Sequence, residues 1–126
     1  MGEERGFSFK MDRRTAKNSL KNLLAIIDEN DVPVHKVVVF GSHAKGMASK
    51  SSDLDVCLIF LDRIKDADKL TAHLRYKMGQ INLNIDLSSL YTSQIKGDRM
   101  SSFVNEIKKT SIEATKFLMN VPKTLD

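Results

Sequence analysis

The chain has no tryptophan, two tyrosines and one cysteine in 126 residues. A single cysteine, Cys57, excludes an internal disulfide and suits a reducing cytoplasm. It lies inside an apolar run, so a buried, inert thiol is expected. So few aromatics leave no stacking platform for single strands; nucleic acid stays open as a partner but is not indicated. No apolar run approaches the ~20 residues of a membrane span. The start, Met1 to Arg5, lacks the apolar core of a signal peptide. His35, His43, His73 and Cys57 show no zinc spacing, and no Ser–His–Asp set is suggested. Gly41 and Gly46 frame four residues without the Lys-Ser/Thr that completes a P-loop. There is no internal repeat and no low-complexity tract.

What remains is an ordinary globule. The apolar share is 41% and the charged share 29%, enough for one domain with a real core. The reading is a single domain over 1–126, with 1–11 as a loose lead-in. The net charge of +4 is compatible with nucleotides, RNA or an acidic partner. The basic residues Arg13, Arg14, Lys17, Lys21, Lys108 and Lys109 are scattered, which favours solvated helix faces over a nucleic-acid groove.

Periodicity orders the chain. Leu20, Leu23, Leu24 and Ile27 make the stripe of a helix over about 15–29, ended by Asn30-Asp31-Val32-Pro33. Residues 34–40 read as a strand apolar on both faces. Residues 41–52 form a Gly-, Ser- and Lys-rich connection, with a short helical turn around Ala44–Met47. A second strand follows over 53–61. A helix over 66–78 carries Leu70, Leu74 and Met78 inward, with Gly79 as its stop. A third strand over 82–87 alternates, with Asn84 and Asp86 on its polar face. A polar loop over 88–98 and a helix over 99–109 come next. Residues 110–118 fit either a longer helix or a short final strand. The fold class is α/β (α+β): a small mixed sheet flanked by helices.

The informative constellation is Gly41-Ser42, ten residues, then Asp53-Leu54-Asp55. It joins Val37-Val38-Val39-Phe40 to Val56-Cys57-Leu58-Ile59-Phe60. Asp53 and Asp55 are two apart, so on a strand their carboxylates share a face. Paired carboxylates attract Mg²⁺, a hard cation that takes oxygen ligands and phosphate co-ligands. The Gly-Ser turn offers backbone N–H groups and a hydroxyl to phosphate oxygens. The set reads as a site for a metal-bound nucleoside triphosphate.

These residues resemble the signature of the DNA-polymerase-β-type nucleotidyltransferase superfamily. Gly41 to Gly46 (Gly-Ser-His-Ala-Lys-Gly) is similar to the superfamily's Gly-Ser-Arg-Ala-Arg-Gly. Ser52-Asp53-Leu54-Asp55 matches its Ser-Asp-Ile/Leu-Asp. The short chain most resembles the minimal nucleotidyltransferases, many of them antitoxins encoded beside HEPN-domain proteins. The resemblance covers about 14–115 and implies the nucleotidyltransferase fold. It also implies that Asp53, Asp55 and Asp86 are catalytic and hold two Mg²⁺ ions. Asn84-Ile85-Asp86-Leu87 is similar to the context of the superfamily's third carboxylate. Asp62, Asp66 and Asp68 compete for that role, but at a strand end or helix start such residues commonly cap.

The resemblance further implies that Gly41, Ser42 and Lys45 bind the nucleotide. Lys45 stands where the superfamily has a second Arg, and lacks that residue's bidentate fork. His43 departs from the usual Arg and is expected to be a partly exposed loop histidine without a role. The implied activity moves AMP from ATP, or another NTP, to a hydroxyl of a HEPN partner protein, in the cytoplasm and off the membrane. Two alternatives stand beside it: transfer to a small molecule or RNA end, and an antitoxin or subunit that only binds.

Overall fold

A computed structural model describes residues 13–46, 53–97 and 101–119. The lead-in expected over 1–11 lies outside the described residues. The first helix, α1 (Arg13–Glu29), buries Ala16, Leu20, Leu23, Ile26 and Ile27. Asn30 ends it by donating its side-chain amide to the Ile26 carbonyl, 2.7 Å. Strand β1 (Lys36–Phe40) follows, shorter at its start than the apolar run. Helix α2 (Gly41–Lys45) begins at the glycine itself, earlier than the turn expected over Ala44–Met47; Met47 lies outside the described residues. Strand β2 is Leu54–Phe60 and helix α3 is Ala67–Gln80.

The sequence reading fails between residues 79 and 97; residue 98, the last of the expected loop, lies outside the described residues. Gly79 does not stop α3; the helix passes through it to Gln80. The left-handed residue after the helix is Asn82, with φ 56°, and the Leu83 N–H closes back on the Met78 carbonyl, 3.0 Å. Strand β3 is therefore Ile85–Tyr91, not 82–87. The expected polar loop is the second half of that strand plus a short helix, α4 (Thr92–Lys96). The polar strand residues find local partners. Ser88 donates to the Val56 carbonyl, 3.3 Å, and Ser89 to Asp68, 3.4 Å. The Tyr91 hydroxyl accepts from the Ala67 N–H, 3.2 Å. Helix α5 (Ser102–Thr110) comes next, its start capped by Ser101. Of the two readings for the tail the short strand is the one found: α5 stops at Thr110, strand β4 (Ile112–Glu113) follows, and a separate helix, α6 (Ala114–Met119), comes after it.

The sheet order is β3-β2-β1-β4. β1 runs antiparallel to β2 and to β4, while β2 and β3 are parallel. Parallel neighbours need a long crossover, and α3 supplies it. Arg75 of α3 fixes that crossover by donating Nε and Nη2 to the Leu87 carbonyl, 3.0 and 2.9 Å.

Both faces of the sheet are buried, as the near-continuous apolar runs imply. One face packs Val39, Leu54, Val56, Leu58, Phe60 and Leu87 against α1, α3 and α6. Each fully buried leucine there contributes about 1.5–3 kcal/mol. The other packs Val38, Phe40, Cys57, Ile59 and Leu90 under Val104 and Ile107 of α5. Cys57 is fully buried, and burial pushes its thiol up to about 11, so it stays protonated. Among the described residues, no helix is long and apolar enough to cross a membrane.

Candidate nucleotide and metal site

Three strand ends converge at one end of the fold. β1 ends there at Phe40, and β2 and β3 begin there. Phe40 lies opposite Asp55 in the antiparallel pair, and Asp55 lies opposite Asp86 in the parallel pair. Facing residues on adjacent strands share a side of the sheet and are ~5 Å apart. Asp55 and Asp86 therefore stand side by side, on the face that α5 covers. Asp53, two residues before Asp55, is exposed at the mouth of the strand.

Gly41 packs against Asp55. Its φ is 73°, a left-handed conformation that favours glycine. A Cβ at this position would collide with the Asp55 carboxylate. The backbone of the Gly-Ser turn thus lies directly on the carboxylate, and Ser42 follows half-buried. Lys45 is exposed at the end of α2. His43 is not a partly exposed loop residue: it is 7% exposed, inside α2. The cause is that α2 starts at once and packs against β1, β2 and α5, turning its third residue inward.

The electrostatics identify Asp55 as the stressed group. Its carboxyl is raised from 3.8 to about 6, first by burial and then by the charges of Asp86, Asp53 and Glu106. Glu106, on α5, is the contributor that sequence reasoning missed. Its only signal is its place beside Val104 and Ile107 on an inward-facing helix, and the sequence alone does not say what α5 covers.

This donor set suits a hard cation: several carboxylates, one of them paying a desolvation and repulsion cost that positive charge would relieve. Among the described residues, no three His, Cys, Asp or Glu side chains already close around one point. Asp53, Asp55 and Asp86 share a neighbourhood without forming a finished cage.

The competing carboxylates lie elsewhere. Asp62 accepts from the Thr92 hydroxyl, 2.6 Å, and the Ser93 N–H, 2.9 Å, at the start of α4. These bonds hold its carboxyl below the usual range. Asp66 precedes α3 with φ 61°, and Asp68 receives Ser89. All three belong to the opposite end of the sheet.

Comparison with known proteins bears on the family and the fold. The polymerase β nucleotidyltransferase family matches residues 21–115. No curated protein matches the sequence. Among solved structures, the chain is similar to a protein from Sulfolobus solfataricus provisionally described as a nucleotidyltransferase, at 18% identity, TM-score 0.58, covering 90% of this chain and 89% of that one. It is also similar to a chain of a toxin–antitoxin complex with AMP-PNP, at 14% identity and TM-score 0.50, covering 82% and 81%. A mutant MntA–HpeT toxin–antitoxin complex matches at 14% identity and TM-score 0.50, covering 79% and 81%. At such identities the likeness is one of fold. The family match spans most of the chain, including the Gly-Ser turn and all three aspartates, and by it the chain belongs to the polymerase β family of nucleotidyltransferases.

Proposed function

We propose that the chain transfers AMP from ATP to a hydroxyl of a partner protein, as the antitoxin of a toxin–antitoxin pair whose HEPN-domain toxin is the acceptor. The observation that carries the chemistry is the register of Asp55 on Asp86, with Gly41 laid against the Asp55 carboxylate. The partner rests on softer ground: the shared fold with chains of toxin–antitoxin complexes, one of them holding AMP-PNP.

In this reading Asp53, Asp55 and Asp86 hold two Mg²⁺ ions. When bound, the metal neutralises triphosphate charge and lowers the pKa of the attacking hydroxyl. The remaining work belongs to the chain. The Gly41-Ser42 backbone and the Ser42 hydroxyl grip the β- and γ-phosphates, which the glycine lets approach closely. Lys45 offsets phosphate charge from the exposed end of α2. The acceptor oxygen bonds to the α-phosphorus, the bond to the β-phosphate oxygen breaks, and pyrophosphate leaves.

The test is incubation with the candidate HEPN protein, ATP and Mg²⁺, read by intact mass. The partner should gain whole AMP units, and Asp53→Asn should add none. Neutralisation of the toxin without any mass change would replace the enzyme with a binding antitoxin. Transfer to aminoglycosides or RNA ends, with the partner unmodified, would move the activity to another acceptor class.

A further inference from the structure

A groove of about 710 Å³ opens at the end of the sheet remote from Asp53, Asp55 and Asp86, and none of these three lines it. Its floor is aliphatic: Leu61, Ile95 and Ile112 are half-buried and reachable, over Val38, Ile59 and Ile107, which the fold already buries. Its rim carries Lys36, Lys96, Lys108 and Lys116, from β1, α4, α5 and α6 in turn. All four are exposed. Glu113 is the one acidic side chain among the described lining residues, and it pairs with Lys36 at 3.4 Å. Asp62 lies in the field of Lys96. Lys108 and Lys116 leave the rim with a net positive charge.

An aliphatic floor inside a cationic rim selects its occupant. A nucleic-acid strand needs faces on which bases stack, and the described lining has no Phe, Tyr or Trp. A small anion needs donors converging on one point, whereas these lysines sit on four separate elements around a hydrocarbon surface. An amphipathic helix satisfies both halves: apolar residues at i, i+3, i+4 and i+7 fill the floor, and flanking carboxylates meet the lysines. Burial of the stripe supplies affinity, while the charges supply orientation and encounter rate. We infer that this groove docks an acidic amphipathic helix of a partner protein, at a site separate from the nucleotide. The inference does not depend on the acceptor proposed above.

The experiment selects helical peptides from a randomised displayed library against the full chain, then measures the synthesised winners by titration and methyl NMR. Winners should carry Asp or Glu beside an apolar helical stripe and should shift the methyls of Ile59, Ile95, Ile107 and Ile112. Lys108→Glu with Lys116→Glu should weaken them at least tenfold and leave the Mg²⁺–ATP thermal shift unchanged. The inference is overturned if no peptide is enriched, if the winners are basic, or if the double variant binds them as the wild type does. It is equally overturned if a single-stranded oligonucleotide moves those methyls at lower concentration than any acidic peptide.

Discussion

Asp55 carries a penalty in the folded state. A carboxyl whose folded pKa lies above its unfolded value binds its proton more tightly when folded. Its contribution to stability therefore falls as pH rises from the ordinary 3.8 towards 6, and stays low above that. Asp55→Asn removes the titration. Melting curves of the metal-free protein should show the variant gaining on the wild type between pH 4 and 7; a gap that does not change with pH would refute the reading. Mg²⁺ with ATP should raise the melting temperature of the wild type, and the same variant should lose that shift, since a ligand stabilises only the state that binds it. Asp62→Asn should keep that shift, because Asp62 caps α4 at the far end. Asp86 is exposed and bears no core load. Asp86→Ala should melt near the wild-type temperature yet lose about three decades of transfer rate, ~4 kcal/mol of transition-state stabilisation. Retained activity there, with loss in Asp66→Ala or Asp68→Ala, would reassign the third carboxylate.

The elements were legible where a local period met a local stop. The α1 stripe and the two apolar strands gave fold class and sheet, and the Gly41-Ser42 and Asp53-x-Asp55 pair pointed to the candidate site, where the fold sets Gly41 against Asp55. What failed was the run from 79 to 97, for physical reasons. A glycine near a helix end suggests a left-handed stop, yet Asn82 can take that conformation and does. Ser88 and Ser89 look like loop, but their hydroxyls are satisfied by Val56 and Asp68, which only the parallel pairing brings within reach. Asp86 still falls beside Asp55 as a strand residue, because the alternation around it survives a shift of the strand's limits. The two glycines give a paired test. Gly79 has ordinary helical surroundings and nothing within 4 Å of an added Cβ. Gly79→Ala should stabilise by about 0.5–1 kcal/mol. Gly41→Ala meets both a positive φ and the Asp55 carboxylate, and should cost about 1–2 kcal/mol from backbone strain alone. Chemical denaturation reads both, and loss of stability in Gly79→Ala would restore the glycine stop.

Among the described residues, Asp53, Asp55 and Asp86 gather at one end of the sheet and the lysine-rimmed groove opens at the other. Helix α5 spans the distance. Phe103 anchors it edge-on to Phe40, ring centroids 5.4 Å apart, immediately before Gly41. One turn further, Glu106 acts on Asp55, while Ile107 and Lys108 line the groove. Sequence reading could not reveal this, since residues 106 and 55 meet only once the sheet is assembled. The consequence is measurable in the acid limb of nucleotide binding. Protonating Asp55 near pH 6 should weaken Mg²⁺–ATP binding, and Glu106 helps set that value. Glu106→Gln removes one negative charge from the field, so the carboxyl should ionise at lower pH. Glu106 is the smallest of the four causes that raise Asp55, so the midpoint should move down by no more than about half a pH unit. Affinity at pH 8, where Asp55 is ionised in both proteins, should change far less. Titrations of wild type and variant from pH 5 to 8 separate the two roles open to Glu106. A displaced midpoint with binding intact makes it a source of field; binding lost at every pH makes it a ligand.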